Sequence, residues 1–319
     1  MKTVIVTGGA GFIGSHLVKE ISNKTDWRII VVDKLTYAGN LKNLDGVNVD
    51  FRCIDIANQS EVDSLKNEKI DIIYHLAAES HVDRSIENPM EFVNTNVIGT
   101  VNLLNLALHY HKQNEKFLFY HISTDEVFGS LNIGDPMFNE ETPYDPRSPY
   151  SASKAASDHF VRAYYHTYKL PIIISNCSNN YGTHQYPEKL IPVVINSINE
   201  GKPIPIYGQG SNVRDWLHVK DHARAILKIS QSGNIGRTYC IGGDCEMTNL
   251  QLVNKICEIY ERIYNKHAKY LITFVQDRKG HDMRYAIDHE LLTFHTGWNP
   301  MISIEEGLEE TIRWYTDNR

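Results

Sequence analysis

Apolar residues along the first half of the chain form short runs that alternate with longer amphipathic stretches. The short runs predict buried strands at 2–7, 28–33, 47–52, 70–75, 117–122 and 171–176. The stretches between them predict helices at about 12–23, 58–67, 90–112 and 149–169. Regular alternation of strand and helix is typical of βαβ units. We therefore expect an α/β protein with a doubly wound parallel sheet.

The pattern becomes irregular after Ile174, where Asn, Gly and Pro residues interrupt it repeatedly. Further helices are predicted at about 188–200, 219–231, 248–264 and 303–316, without regular alternation. We expect two domains: a nucleotide-binding domain at 1–178 and a smaller, mixed α/β substrate domain at 179–319. The chain is expected to return to the first domain around 215–232.

Helix 90–112 is apolar on more than one face. One face is expected to cover the sheet and another to pair with a second subunit, joined there by helix 149–169, so we expect a homodimer.

Bulk composition excludes several classes of protein. A net charge of −7 argues against a nucleic-acid partner, and the apolar runs are strand-sized, too short for a membrane span. Because the N-terminus enters a predicted strand at once, we expect no signal peptide. Five cysteines without a C-x-x-C pair predict reduced thiols in a cytoplasmic protein, and no metal site is expected.

A glycine-rich turn joins the first predicted strand to the first predicted helix. It reads Gly8-Gly-Ala-Gly-Phe-Ile-Gly14, and it fits the dinucleotide fingerprint as Gly9-x-Gly11-x-x-Gly14 or as Gly8-x-x-Gly11-x-x-Gly14. Glycines let the backbone approach a diphosphate, which then lies on the helix N-terminus. Asp33 ends the next strand, where a carboxylate binds ribose hydroxyls and repels a 2′-phosphate. The turn therefore predicts a Rossmann-type site for NAD rather than NADP.

Two later strand ends are predicted to contribute to the same site. Asp55-Ile56 follows the third strand and is placed to reach the adenine. Leu76-Ala77-Ala78-Glu79-Ser80 follows the fourth strand, where small residues let the backbone approach the cofactor. Taken alone, Ala77 and Ala78 are more typical of tight core packing.

Candidate catalytic groups follow the fifth strand. Thr124-Asp125-Glu126 lies at its carboxyl end, where ligands bind in open α/β sheets, although two such carboxyls also suit a helix N-cap. Tyr150 and Lys154 lie one turn apart on helix 149–169. An ammonium and a positive nicotinamide ring both favour a phenolate, so we expect the pKa of Tyr150 to fall to about 7. Tyr150 would then remove a proton from a substrate hydroxyl while hydride leaves for NAD⁺.

With the glycine turn and Tyr150-x-x-x-Lys154, the chain resembles the nucleotide-sugar enzymes of the extended short-chain dehydrogenase/reductase family over nearly its whole length. The matching segments include 33–40, 75–85, 123–126, 175–182, 187–192, 214–216 and 277–282. Epimerases and decarboxylases of this family usually lack the Asp125-Glu126 pair, so the pair indicates a dehydratase.

The resemblance implies a lyase of deoxysugar biosynthesis, such as that of rhamnose, which converts dTDP-glucose to dTDP-4-dehydro-6-deoxyglucose and water. Oxidation at C4 acidifies the hydrogen on C5, which Glu126 is expected to remove as a base. Asp125 is expected to protonate the departing C6 hydroxyl as a neutral acid, while Thr124 binds the C4 oxygen. Hydride then returns to C6, which regenerates NAD⁺. Opposite roles for adjacent carboxyls require separated pKa values, which a partly buried site provides.

Further contacts are implied on both sides of the site. The cofactor is expected to meet Phe12, Ile13, Lys34, Leu35, Thr36, Thr95 and Asn180. The substrate diphosphate needs cations, for which Arg214 and Lys189 are the best candidates, then Arg278 and His281. The other substrate contacts are expected at Ser80, Asn179, Leu190, Pro205, Ile206, Tyr207, Asn249 and Asp277. Arg214 could instead form a surface ion pair with Asp215, and Asn249 could cap a helix.

Alternatives stay open at this point. Lys279 stands where the family usually has proline, and this departure weakens the choice of thymine over uracil as the base of the substrate. The alternative is a 4,6-dehydratase or a 4-epimerase that acts on a UDP-sugar. A catalytically silent NAD-sensing module is an alternative of another class. It predicts a broken glycine turn, Tyr150 or Lys154, and all three are intact.

Overall fold

The computed structural model describes residues 1–277 and 282–318. Its strands are β1 (Thr3–Thr7), β2 (Arg28–Asp33), β3 (Asp50–Cys53), β4 (Ile72–His75), β5 (Leu118–Thr124), β6 (Ile172–Cys177), β7 (Asn179–Tyr181), β8 (Ile204–Tyr207), β9 (Val213–His218), β10 (Thr238–Ile241), β11 (Glu246–Thr248) and β12 (Ile272–Val275). Its α-helices are α1 (Phe12–Lys24), α2 (Gln59–Asp63), α3 (Val82–Glu87), α4 (Pro89–Phe92), α5 (Gly99–His111), α6 (Pro149–Tyr168), α7 (Leu190–Glu200), α8 (Val219–Ser232), α9 (Asn249–Tyr264), α10 (Glu290–Thr296) and α11 (Ile304–Asp317). Shorter turns are the 3₁₀ segments Leu41–Leu44, Ser64–Asn67, Asp125–Phe128 and Lys269–Leu271 and the π-helical turn Val93–Ile98.

A seven-stranded sheet forms the centre of the protein, in the order β10-β6-β5-β4-β1-β2-β3. Its neighbouring strands are all paired in parallel. The order reverses at β1, which lies between β2 and β4. In such sheets, ligands bind at the carboxyl ends of the strands beside this reversal. The predicted doubly wound α/β class is confirmed.

Each face of the sheet carries its own apolar core, because successive residues of a strand point to opposite sides. On β1, Val4 and Val6 pack with α1 and α8 on one face. Ile5, between them, packs on the other face with residues of α5 and α6. Burial on both faces explains why the central strands are continuous apolar runs rather than alternating ones.

The second half of the chain builds two smaller sheets, β11-β9-β7 and β12-β8. A third core cluster joins α7, α9 and α11 to this part. The chain then rejoins the large sheet, since α8 packs on α1 and β10 pairs with β6. The division at residue 178 stays a prediction.

Several elements depart from the predicted boundaries. The stretch predicted as one helix at 90–112 is α4, the π-helical turn and α5 in succession. The stretch at 58–67 is α2 followed by a 3₁₀ turn. The sequence did not predict α3 and α10, which are too short to show a clear helical period. Within the described ranges, no helix combines the length and apolarity needed to cross a membrane.

Candidate active site

The glycine turn between β1 and α1 has the close backbone contacts that its sequence predicts. Gly8 adopts φ +67°, and a Cβ there would lie 2.8 Å from the Ala77 backbone. A Cβ on Gly14 would collide with the carbonyl oxygen of Gly8. Gly11 is the N-cap residue of α1 and has no capping side chain, so the first N–H groups of the helix stay available to an anion. These residues fit a dinucleotide diphosphate.

Asp33 closes the same site from the end of β2. Its carboxylate accepts hydrogen bonds from the backbone N–H groups of Ala10 at 3.0 Å and Leu35 at 2.8 Å. Burial raises the pKa of Asp33, and the two N–H donors oppose that shift. The carboxylate thus joins the glycine turn to the loop after β2. Its remaining acceptor capacity faces the cavity, where it suits ribose hydroxyls.

One cavity of about 310 Å³ joins this turn to the carboxyl ends of β4, β5 and β6. The predicted site residues that line it are Gly8, Gly11, Phe12, Ile13, Gly14, Asp33, Lys34, Thr36, Ile56, Leu76, Ala77, Ala78, Ser80, Thr95, Thr124, Asp125, Glu126, Tyr150, Lys154, Asn179, Asn180 and Lys189. Ala77 and Ala78 therefore border the cavity rather than serving the core alone. The cofactor region and the candidate catalytic groups share a single space.

The structure places other predicted residues outside that lining. They are Leu35, Asp55, Leu190, Pro205, Ile206, Tyr207, Arg214, Asn249 and Asp277. Asp55 lies 3.7 Å from Lys34, in an adjoining surface depression. Arg278 and His281 lie outside the described residues. The roles of all these residues stay predictions.

Thr124-Asp125-Glu126 is positioned by the buried strand β5 and the 3₁₀ turn that follows it. Thr124 is the N-cap of that turn, because its Oγ1 accepts a hydrogen bond from the backbone N–H of Glu126 at 3.3 Å. The alternative that the two carboxyls serve as the cap is therefore wrong. Thr124 caps the turn, and both carboxyls line the cavity.

The two carboxyls have different electrostatic surroundings. Burial, and then the charge of Glu126, raise the pKa of Asp125 well above its ordinary value. Burial also raises the pKa of Glu126, but the charges of Lys189 and Arg214 oppose that shift. Asp125 is only 2% exposed, whereas Glu126 is partly exposed. These surroundings favour a neutral Asp125 beside an ionised Glu126.

Tyr150 and Lys154 come from the first turns of α6, which begins with a capping box between Ser148 and Ser151. Lys154 Nζ donates a hydrogen bond to the carbonyl oxygen of Ile122 at 2.8 Å. This bond attaches the helix to β5, immediately before Thr124. The catalytic candidates on the two elements are therefore held in fixed register.

The protein's own groups shift Tyr150 in the direction opposite to that predicted. Burial, followed by the charge of Glu126, raises the pKa of Tyr150 well above its ordinary value, and a hydrogen bond with Thr124 opposes the shift. The sequence prediction took Lys154 and the nicotinamide ring together as the cause of a lowered pKa. A lowered pKa would therefore require the charge of the bound cofactor.

A supporting residue that the sequence did not indicate is Asn96, in the π-helical turn. Its amide accepts a hydrogen bond from the backbone N–H of Glu79 at 2.9 Å and donates to the backbone oxygen of Glu79 at 3.0 Å. The same amide donates to Ser153 Oγ at 2.8 Å. Asn96 thus joins the loop after β4 to the helix turn that carries Tyr150 and Lys154.

Arg214 and Lys189 are the cations expected to bind the substrate diphosphate, and Arg214 is more deeply buried than predicted. Arg214 is 9% exposed, and its guanidinium lies 4.3 Å above the ring of Tyr285. Asp215 is also buried and accepts hydrogen bonds from the backbone N–H groups of Gly243 and Cys245. The surface ion-pair alternative is therefore wrong. Lys189 Nζ donates to the Ser80 carbonyl at 3.1 Å.

Two asparagines on this side also have defined environments. Thr248 caps α9 and its side chain bonds the Gln251 N–H, so the alternative that Asn249 is the cap is wrong. Asn180 Oδ1 lies 2.9 Å from His222 Nδ1, which holds the amide at the edge of the cavity.

Three side chains link α3 to two loops that border the cavity, and we call them the mouth clasp: Tyr37, Arg84 and Glu188. The Arg84 guanidinium lies 3.7 Å from the centre of the Tyr37 ring and donates a hydrogen bond to Glu188 at 3.2 Å. Tyr37 and Glu188 line the cavity. The sequence did not predict this contact, because it joins α3 to loops that are far away in the chain.

The chain is similar to known enzymes over its full length. The GDP-mannose 4,6 dehydratase family model matches residues 5–311. A dTDP-glucose 4,6-dehydratase of Neisseria gonorrhoeae is 50% identical, covering 100% of this chain and 96% of the relative. That of Haemophilus influenzae is 47% identical, covering 100% and 99%.

Solved structures of nucleotide-sugar enzymes are also similar to this chain over its full length. The dTDP-glucose 4,6-dehydratase DesIV of Streptomyces venezuelae, solved with NAD bound, has a TM-score of 0.92 at 41% identity and covers 99% of this chain and 98% of its own. The UDP-glucose 4-epimerase of Thermotoga maritima, solved with UDP-glucose, has a TM-score of 0.89 at 26% identity, with 99% of each chain covered.

Proposed function

This chain belongs to the GDP-mannose 4,6 dehydratase family. From its similarity to dTDP-glucose 4,6-dehydratases and from its site, we infer that it is an NAD-dependent hydro-lyase that performs 4,6-dehydration of dTDP-glucose. The observation that carries the inference is the carboxyl pair Asp125-Glu126 in the cavity that also contains Tyr150 and Lys154. A 4-epimerase needs only the removal and return of the C4 hydride and of the C4 hydroxyl proton. A dehydratase needs an acid and a base in addition, and this site has both.

We propose that the glycine turn, Asp33 and Lys154 hold the cofactor, on the geometry of the close turn and the cavity. NAD, when bound, supplies an acceptor for the hydride of C4 and later a donor of that hydride to C6. The protein's own residues handle the protons and the leaving hydroxyl. Tyr150 takes the proton of the C4 hydroxyl, and its hydrogen bond with Thr124 orients the phenol.

Glu126 and Asp125 perform the elimination in this proposal. Glu126, whose ionised form the charges of Lys189 and Arg214 favour against the effect of burial, removes the C5 proton made acidic by the C4 ketone. Asp125, neutral because it is buried beside Glu126, gives its proton to the departing C6 hydroxyl, and water leaves. Glu126 returns its proton to C5 as hydride adds to C6. The proton that Tyr150 took from the C4 hydroxyl replaces, through solvent, the one that Asp125 gave to water, so the proton count balances over the whole cycle. The products are water and the 4-dehydro-6-deoxy sugar nucleotide.

The substrate's diphosphate is proposed to lie towards Arg214 and Lys189. Both charges act on the carboxyl pair, so both lie close enough to influence a ligand bound beside it. Asn179, Asn249 and the strand β8 are proposed to complete the nucleotide pocket.

We also propose a homodimer. Its interface would be formed by α4, the π-helical turn, α5 and α6 of one copy, which would contact the same elements of a second copy. These elements pack together and expose Met90, Ile98 and Phe160. We further propose a division into two domains at residue 178.

We also propose a cytoplasmic location, which is supported by the five unpaired thiols.

Substrate deuterated at C4 tests the proposed function. We expect the NAD-loaded protein to transfer the deuterium to C6 of dTDP-glucose with loss of water, as followed by NMR and mass spectrometry. Deuterium that remains at C4 of an epimerised sugar would show a 4-epimerase instead. The same experiment with UDP-glucose decides the base: faster turnover of the uridine compound would overturn the choice of thymine.

A further inference from the structure

A buried polar cluster lies directly behind Lys154 and has no part in the mechanism above. Its centre is Asp158, one turn further along α6 and fully buried. The Asp158 carboxylate accepts hydrogen bonds from Ser123 Oγ at 2.8 Å and from the Tyr144 hydroxyl at 2.8 Å. His121 Nε2 lies 3.1 Å from its other oxygen. A buried carboxylate is costly unless a nearby positive charge or several donors stabilise it.

The cluster joins the two elements that carry the catalytic candidates. His121 and Ser123 point to the same side of β5, since they are two residues apart, and both contact Asp158. Between them, the carbonyl of Ile122 accepts the hydrogen bond from Lys154 Nζ. Lys154 and Asp158 therefore bind β5 at consecutive positions, and the next residue of that strand is Thr124.

Among the groups that face this cluster, Asp158 is the acid that stays charged. The guanidinium of Arg162 donates a hydrogen bond to the Tyr144 hydroxyl at 2.8 Å, and its charge helps to keep Asp158 ionised. Burial lowers the pKa of His121 to about 4, and burial likewise holds the pKa of His75, on β4, well below its ordinary value. Both rings are neutral at neutral pH. On β6, burial raises the pKa of Cys177 to about 12, so it remains a thiol.

We propose that Asp158 is a positioning residue that serves as the buried counter-charge of Lys154 and keeps it protonated in its register with Thr124. This inference rests on the proposed function, in which Lys154 must carry a charge beside Tyr150. Burial lowers the pKa of Lys154, and Asp158 is the leading charge that opposes the shift. A fully buried lysine without such a partner titrates near pH 5–6, which would leave it neutral at working pH.

The pH profile of kcat/KM for dTDP-glucose tests the proposal, with NAD-loaded wild type compared with Asp158→Asn. Removal of the negative charge makes Lys154 lose its proton at lower pH. The descending limb should therefore move down by about one pH unit or more. The ascending limb, which we attribute to Tyr150, should move less, because burial and the charge of Glu126, rather than Asp158, shift the pKa of that group. A purely structural role would lower activity at every pH and leave the limb in place.

Tyr144→Phe is the matched control. It removes one hydrogen bond to Asp158 but leaves the charge, so the descending limb should stay at its wild-type position. A limb that moves equally in Tyr144→Phe and in Asp158→Asn would overturn the proposal.

A second measurement needs neither turnover nor a folded Asp158 variant. NMR of lysine-labelled, NAD-loaded wild type, with the Lys154 signal assigned by its loss in Lys154→Met, reports the charge of that side chain. We expect Lys154 to remain protonated at about pH 8. A neutral Lys154 at that pH would refute the proposal that Asp158 keeps Lys154 protonated, even if the protein dehydrates its substrate. A wild type without dehydratase activity would instead refute the proposed function.

Discussion

Asp125→Asn separates the first chemical step from the second. Asn has nearly the same shape as a protonated Asp, and burial already favours the neutral form of Asp125. The substituted amide can still accept the hydrogen bond that Thr124 Oγ1 donates to Asp125 Oδ1 at 3.2 Å. The geometry around Tyr150 should therefore survive, while the proton for the C6 hydroxyl is lost.

The expected effects on the two steps differ by orders of magnitude. Loss of a positioned general acid typically costs about 10²- to 10⁴-fold, or roughly 3–5 kcal/mol of barrier, and this cost falls on elimination. Oxidation at C4 should change by less than about threefold, because neither Tyr150 nor Lys154 is disturbed. Reduced cofactor should then accumulate during a single turnover, since hydride cannot return to C6 before water has left.

Rapid mixing of the NAD-loaded variant with dTDP-glucose measures both steps. NADH absorbance follows the oxidation, and chemical quench with mass spectrometry follows loss of water. Asp125→Ala, which removes the shape as well as the proton, is the comparison. Equal slowing of both steps in Asp125→Asn would refute the assignment of Asp125 as the acid.

Three further predictions concern the same site. Glu126→Gln should abolish solvent exchange at C5, measured by deuterium incorporation, and exchange at the wild-type rate would exclude Glu126 as the base. Gly14→Ala should strip the cofactor and lower Tm, because the added Cβ collides with the Gly8 carbonyl; an undiminished NAD content on purification would contradict the turn geometry. Burial raises the pKa of Asp125 in the folded protein above its ordinary value of 3.8. Its favourable contribution to the free energy of unfolding is therefore fully present below about pH 3.8 and is lost as pH rises through the folded pKa. The Tm of Asp125→Asn should therefore exceed the wild-type Tm by a margin that grows from about pH 4 to pH 8, and a constant margin would argue against a buried neutral acid.

The sequence predicted the large sheet well, because its central strands are buried on both faces and therefore appear as uninterrupted apolar runs. β2 was predicted at 28–33 and is Arg28–Asp33. The pairs β12-β8 and β11-β9 were not predicted, since short strands that pair across many residues leave no local pattern.

In the candidate site, too, positions defined by a local sequence pattern were predicted, and contacts between distant segments were not. Residues at strand ends and in helix first turns, such as Asp33 and Tyr150, were placed in the cavity because local patterns define those positions. Contacts between loops were missed, as with Tyr37 and Glu188. The sequence prediction of a lowered pKa for Tyr150 included the charge of the bound cofactor and stays a prediction. It did not include the burial that raises this pKa in the protein alone, because sequence cannot report how completely a phenol is buried.

The mouth clasp has a consequence for energy metabolism around the enzyme. Hydride leaves and returns within one turnover, so the overall reaction is redox-neutral and the nucleotide never has to exchange with its surroundings. We expect the Arg84 guanidinium, held between two residues that line the cavity, Tyr37 and Glu188, to slow such exchange. The rate of deoxysugar formation would then be independent of the ratio of oxidised to reduced nicotinamide in the surrounding solution, and flux could continue through respiratory or fermentative shifts that stop ordinary dehydrogenases.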